Sequence, residues 1–469
     1  MTLASSYLPE SNYIKLSELM LSLTVALDMT EGQPPEHCIR CCWIGMHIGE
    51  KIGLSETQLY DLYFTLLLKD TGCSSNAARI CELYLTNDQE FKRSFKTVGT
   101  SLSSVINFVM NNTGKDKNWL TRISATIDIL KNGSDYAQEL IETRCSRGAD
   151  IARELRFSEA VAQGVHSLDE HWDGKGRPEN LVGSNIPLNS RIALLAQVID
   201  VFQIENDLST AMTEANQRSG SWFDPALVEA MNEIVLDKNF CDTLASSSIS
   251  NAVMDLAPAK ANLLLDDSYL DCIVSAFGKI IDSKSPYTSG HSERVALFTD
   301  LIAQEMGIDD ELRKWLKRAA LLHDVGKLGV SNAILDKPGK LDQDEWLAVQ
   351  KHAQFTKDIL SKITALQNLS EMAGSHHEKL DGTGYPNKLN AEQISLPTRI
   401  ITTADIFDAI TAERPYRGAM PVSKALDIMT ENLNTAIDPA CLEALKQALD
   451  KLPDELKSLI KADEKEPSI

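Results

Sequence analysis

A histidine followed directly by an aspartate, His323-Asp324 in ALLHDVGK, and a pair of histidines, His376-His377 at the head of HHEKLDGTGYP, are the residues of this chain best suited to chemistry. His291, His352 and Asp405 stand in similarly motif-like surroundings. Imidazole and carboxylate groups at several separated points supply the mixed nitrogen and oxygen donors that hold two divalent cations side by side, and paired cations open phosphate esters. A lone histidine is most often a satisfied core or surface residue. Seven such groups together are different: a buried cluster of uncompensated imidazoles and carboxylates is costly to desolvate, whereas a pair of cations satisfies all of them at once.

The elements that must position these groups read as helices. Apolar residues recur three and four apart along most of the chain, with almost no alternating runs, which predicts an all-α fold. In DELRKWLKRAALLHDVGK, Leu312, Leu316, Ala319 and His323 share one face, and Gly326 suits the helix end. In DQDEWLAVQKHAQFTKDIL, Ala348, His352, Phe355 and Ile359 do the same. Both histidines are thereby aimed at a core.

A degenerate internal repeat changes how the chain is read. His37 precedes Lys69-Asp70 by the spacing that separates His291 from His323-Asp324, and LLLKDTG mirrors LLHDVGK. WDGKGRP around Asp173 echoes LDGTGYP around Asp381, and SRIALLAQVID echoes TRIITTADIFD. The two sets of matches have different offsets, so the first copy carries extra residues, placed between Ser74 and Ile141. The expected organisation is two copies of one helical domain, residues 1–245 and 268–469, joined by a linker or connecting helix over 246–267. The length of 469 residues accommodates such a pair, each with its own core.

Composition narrows the partners. A formal net charge of -21 repels nucleic-acid polymers and anionic membrane surfaces. The nine cysteines, an odd number with no secretory leader pattern, point to reduced, buried thiols and a cytoplasmic setting. His37 with Cys38, Cys41 and Cys42 lacks a second Cys/His pair at zinc-site spacing. The apolar stretch from Leu19 to Leu27 is too short to span a bilayer.

HSERV, HDVGK, the lone His352, HHEKLDGTGYP and RIITTADIFDAITAERPYR, in this order, resemble the HD-GYP family, a branch of the HD phosphohydrolases that cleaves cyclic dinucleotides. The resemblance covers about 270 to 450. It implies metal ligands at His291, His323, Asp324, His352, His376, His377 and Asp405, with Asp324 bridging two ions. Donors of this kind suit iron or manganese, and thiolates are missing from the motifs. The resemblance further implies that Asp324 and Lys327 serve catalysis, and that Lys327, Tyr385, Arg414 and Arg417 meet the substrate. Asp408, on the same helical face as Asp405, is placed to orient a ligand or to meet a base. Lys327 projects from the side of His323 if that helix persists, and Asp381 is expected to brace its loop or a ligand histidine. Some family members hold a third metal through a glutamate four residues before the first ligand; Tyr287 stands there in this chain, which favours two metals.

Aligned by the two offsets, the ligand positions of the first copy read His37, Lys69, Asp70, Arg144, Leu168, Asp169 and Gln197. Lys69 and Arg144 put positive charge where the second copy has imidazoles, ready to pair with Asp70. The first half is therefore expected to hold no metal and to serve regulation or assembly, with a second copy of the chain or a signalling protein as its partner. The leading reading is a metal-dependent phosphodiesterase producing a linear dinucleotide, from cyclic di-GMP by default or from 3′,3′-cyclic GMP-AMP. An HD-type hydrolase of mononucleotides and a non-catalytic receptor or scaffold are the competing readings.

Overall fold

The computed structural model describes residues 14–98, 102–115, 117–413 and 417–452. It is built from helices, and among the described residues β structure is confined to isolated bridges. The described residues form two compact units: one from 14–266 with Ser331–Ala333, the other from Asp267–Val330 and from Ile334 to 452. No helix among the described residues is long and apolar enough to cross a membrane.

In the second unit, helix Asp310–Leu322 begins where the Asp309 carboxylate accepts from the Leu312 N–H, and it buries Leu312, Trp315, Leu316, Ala319 and Ala320. Helix Gln343–Leu360 starts from a reciprocal cap between Asp342 and Glu345. Helix Leu396–Thr411 starts at Ser395, has Pro397 in its first turn, and is buried along most of its length. Helix His291–Glu305 packs against Asp310–Leu322, Leu396–Thr411 and Pro439–Lys451. The histidine and aspartate motifs therefore sit at the ends and on the inner faces of mutually packed helices.

The crossing of HDVGK over the His352 helix is close enough to require glycine. A Cβ on Gly326 would lie 2.0 Å from the His352 carbonyl oxygen. Thr356 Oγ1 ties the crossing, accepting from the Gly326 N–H at 3.0 Å and donating to the His323 carbonyl at 2.9 Å. Gly72 plays the same part in the first unit, where a Cβ would lie 2.0 Å from the Arg144 carbonyl oxygen. The repeat read from sequence is thus a repeat of packing.

The extra residues of the first unit fold into helices Ala77–Tyr84, Asp88–Phe95 and Leu102–Asn112 and the start of the long helix Trp119–Glu154. They bury a small core of Ile80, Tyr84, Phe91, Val109 and Ile129. Residues 246–266 fold with this unit, through helix Ile249–Asp255 and a return to its first strand of chain, where the Leu265 N–H donates to the Ile14 carbonyl at 2.9 Å. Cys38, Cys41 and Cys42 are fully buried.

Candidate metal centre

His291 opens its helix after Gly290, whose φ of 68° turns the chain into the site. Its Nδ1 meets Asp408 Oδ2 at 2.7 Å, and Arg294 clamps the same carboxylate through Nε at 2.5 Å and Nη2 at 3.1 Å. The Nδ1 atoms of His323, His352 and His376 each face the backbone carbonyl three residues earlier, Ala320, Val349 and Ala373, at 2.6, 2.5 and 2.5 Å. Holding Nδ1 in this way fixes ring orientation and leaves Nε2 for the interior.

The four Nε2 atoms converge on one carboxylate. Asp324 Oδ2 lies 3.4 Å from His291 and 3.2 Å from His323, while Oδ1 lies 3.5 Å from His352 and 3.6 Å from His376. Asp405 Oδ1 approaches His291 at 3.4 Å and His323 at 3.7 Å. His377 joins His352, His376 and Asp324 in a group whose donor atoms lie within 4.8 Å of one another, and a second such group contains His291, His323 and Asp324. One aspartate is common to two cages.

These residues fit divalent ions. All four Nε2 atoms and Asp324 Oδ1 are buried without a hydrogen-bond partner, the kind of deficit a bound cation cancels. Burial lowers His352 to about 4 and His376 to about 3, so both present neutral imidazole. Asp324 and Asp405 titrate well below the usual carboxylate range, because the facing imidazoles, with Lys327 beside Asp324, outweigh their burial. His323 is raised to about 10 against its burial by Asp324 and Asp405, so without ions a proton partly fills their place.

Lys327 reaches this centre by another route than a continued helix. The helix ends at Leu322, a 3₁₀ turn spans Val325–Gly329, and Lys327 Nζ lies 2.5 Å from Asp324 Oδ2. Tyr385 also arrives, its ring 4.8 Å from that of His377 and 6.2 Å from that of His352. Asp408 does not face a base: it is buried and fully used on His291 and Arg294, which makes it a positioning residue. Arg417 turns onto the end of helix Leu396–Thr411, its Nη2 donating to the Ala409 and Ile410 carbonyls at 2.7 and 3.2 Å, while its Nε is buried without a partner. Arg414 lies outside the described residues. Asp381 braces its own loop through the Thr383 N–H and hydroxyl, at 2.9 and 2.7 Å, and touches no ligand histidine.

Sequence reasoning missed two features. Glu378 is buried and accepts from the Asn387 and Leu389 N–H groups at 2.6 and 2.8 Å, pinning the loop that carries Tyr385. Its counterpart Glu170 makes the same pair of bonds in the first unit, to Glu179 and Leu181. That repeated glutamate was the signal. The second is a cavity of about 200 Å³ beside His291, Asp324 and Lys327, whose wall includes Lys284, Lys337 and Trp346.

In the first unit the scaffold persists without the donor set. His37, Asp200 and Arg40 reproduce His291, Asp408 and Arg294, with His37 Nδ1 at 2.7 Å from Asp200. Lys69, fully buried, extends its ammonium to Asp70, to His37 Nε2 at 3.0 Å and to Gln197 Oε1 at 3.2 Å. A tethered cation thus occupies the focus of the ligand positions. Arg144 pairs with Asp169 rather than with Asp70, and Leu168 is core. Burial and then the Lys69 charge lower His37 to about 4, keeping it a neutral acceptor. Glu31, Asp70 and Cys73 also form a compact donor group, but Lys92 and Lys96 sit on Glu31 and burial pushes the Cys73 thiol well up.

Helical bundles that gather histidines around a shared HD aspartate define metal-dependent phosphohydrolases of the HD type. The HD domain family matches residues 122–227 and 275–441. The chain is 68% identical to a 3′3′-cGAMP-specific phosphodiesterase 3 of Vibrio cholerae serotype O1, over 96% of this chain and 97% of that one. A crystal structure of a cyclic GMP-AMP-specific phosphodiesterase from V. cholerae, V-cGAP3, is similar with a TM-score of 0.66 and 63% identity, covering 94% of this chain and 99% of that chain. The cyclic di-GMP phosphodiesterase response regulator RpfG of Xanthomonas campestris is 34% identical over 37% of this chain and 46% of its own length. This chain belongs to the HD domain family, in its HD-GYP branch of cyclic-dinucleotide phosphodiesterases.

Proposed function

We propose that the second half hydrolyses 3′,3′-cyclic GMP-AMP to a linear dinucleotide, using two divalent ions, iron or manganese. The observation that carries the hydrolytic reading is Asp324, whose two oxygens face two separate pairs of imidazoles. His291, His323 and Asp405 would serve one ion and His352, His376 and His377 the other, with Asp324 between them. When bound, such a pair supplies Lewis acidity towards both phosphate and water.

The chain's own residues do the rest. Asp408 and the carbonyls of Ala320, Val349 and Ala373 hold the imidazoles in one orientation, so no reorganisation accompanies ligation. Lys327, at the cavity wall, presents a positive charge to the phosphate, and Trp346 and Tyr385, 6.0 Å apart, offer ring faces to a base. The choice of mixed purine substrate over cyclic di-GMP rests on the V. cholerae relatives. For the partner of the first half we take a second copy of the chain. Trp119, Leu120, Ile123, Ile127 and Leu130 stand exposed near the start of their helix, an apolar stripe that a second copy would cover.

The test is anaerobic loading with manganese or iron, incubation with both cyclic dinucleotides and with mononucleotides, and chromatography of the products. A linear GMP-AMP dinucleotide as the main product supports the proposal. Turnover of mononucleotides alone, or none of any substrate, rejects it.

A further inference from the structure

The first unit encloses a cavity of about 370 Å³, larger than the one beside the metal centre. That volume lies in the range of pockets that take small organic ligands. Arg144, Asp169 and Gln197 line it, and these stand where the second half has His352, His377 and Asp405. It is the cleft of the degenerate copy, kept open and roofed by the inserted helices.

Its chemistry runs against that of the chain. The wall carries five cations, Lys92, Lys96, Arg144, Lys175 and Arg177, against two carboxylates, Glu31 and Asp169, in a protein of net charge -21; Lys175 is paired with Asp173 at 2.7 Å, just outside the wall. Glu31 meets both Lys92, at 3.3 Å, and Lys96, at 2.9 Å; Lys92 also donates to the Thr30 and Cys73 carbonyls, Glu31 and Lys92 are buried, and Lys96 is half-buried. Asp169 is taken by Arg144. Asp88 and Asp70 add charge near Lys92 and Lys96, but Glu31 is shared between both ammonium groups and Arg177 donates to Ser134 rather than to a carboxylate, so an anion would find cations both inside the cavity and at its rim. Aromatic rings come from two directions: Tyr84, Phe91 and Phe95 from the inserted helices, His171 and Trp222 from the other side. Cations beside aromatic planes are the complement of a phosphate beside a base.

We infer that this cavity is a second nucleotide site, separate from the metal centre, that binds a phosphate-bearing purine nucleotide without hydrolysing it. The shared chemistry admits three sources: the cyclic dinucleotide, its linear product, or a free mononucleotide. The site stands independently of which substrate the second half cleaves.

The test uses the full chain with Asp324→Ala, which removes turnover, in the presence of chelator. Calorimetric titration with 3′,3′-cyclic GMP-AMP, linear GMP-AMP, GMP and AMP identifies the source. Ala137→Phe fills the cavity, and Lys175→Glu with Arg177→Glu reverses charge at its rim. At least one nucleotide is expected to bind, with affinity falling tenfold or more in both variants. Binding unchanged by both, or no binding of any nucleotide, overturns the inference. Should Ala137→Phe not fold, the rim variant decides alone, because its side chains lie towards solvent. Hydrolysis by the chain with native Asp324 is measured separately, so a failure of the catalytic reading is told apart from a failure of this one.

Discussion

Replacing Asp324 by asparagine is the most searching perturbation of the metal centre. The two side chains have the same shape, but the amide keeps one neutral oxygen and turns an NH₂ towards the other pair of imidazoles. Oδ1 and Oδ2 each stand 3.2 to 3.6 Å from two Nε2 atoms, so the change withdraws the only group common to both cages. The histidines keep their Nδ1 contacts to Ala320, Val349 and Ala373, none of which involves Asp324, so the helices are expected to stay folded. Metal content is expected to fall from two ions per chain to at most one. Loss of paired-ion stabilisation of the phosphate, about 4 kcal/mol, corresponds to about a thousandfold in kcat/KM. Elemental analysis of anaerobically loaded protein gives the ion count, chromatography of the linear product gives the rate, and circular dichroism checks the fold. Two retained ions with a rate within about threefold of the parent would refute the bridging argument.

Three further expectations follow from the first half. Lys69→Met leaves Asp70 charged and buried, so it is expected to cost about 3–5 kcal/mol in urea unfolding, with most of that recovered by adding Asp70→Leu; a neutral Lys69→Met would mean the ammonium is dispensable. Asp28 is raised by burial from 3.8 to about 7. The folded state therefore holds a proton that the unfolded chain has released, and its contribution to stability is lost as pH rises from about 4 to about 7. Asp28→Asn keeps an acceptor for the Cys38 N–H and is expected to gain stability relative to the parent by up to about 3 kcal/mol on going from pH 4.5 to pH 8; an equal difference at both pH values contradicts this. Ile123→Glu with Ile127→Glu is expected to turn a dimer into a monomer by light scattering, and a monomeric parent at micromolar concentration would dismiss the self-association surface.

How much of this was legible beforehand depended on range. Helical spacing put His323 and His352 on inward faces because the period of a helix is fixed by its own backbone, and the paired offsets exposed the repeat. The convergence of four Nε2 atoms on Asp324 required only that those helices pack. Arg417 went the other way because an arginine near a helix end can serve either a ligand or the last carbonyls, and its neighbours in sequence do not say which. Asp408 lay on the anticipated face, yet whether it met a base or an imidazole was settled by helix His291–Glu305, more than a hundred residues earlier. The cleft residue Trp346 sits on a helix position that reads as solvent-facing. Glu378 was within reach, since the same offset that links Asp173 to Asp381 links Glu170 to Glu378.

The ammonium of Lys69 is bonded to its own main chain, so chelators cannot strip it, competing ions cannot displace it and oxygen cannot change its valence. Deprived of divalent cations, the second half would lose the ions proposed for it while the first kept its shape intact. The shape of the first half is thus set without reference to the metal supply.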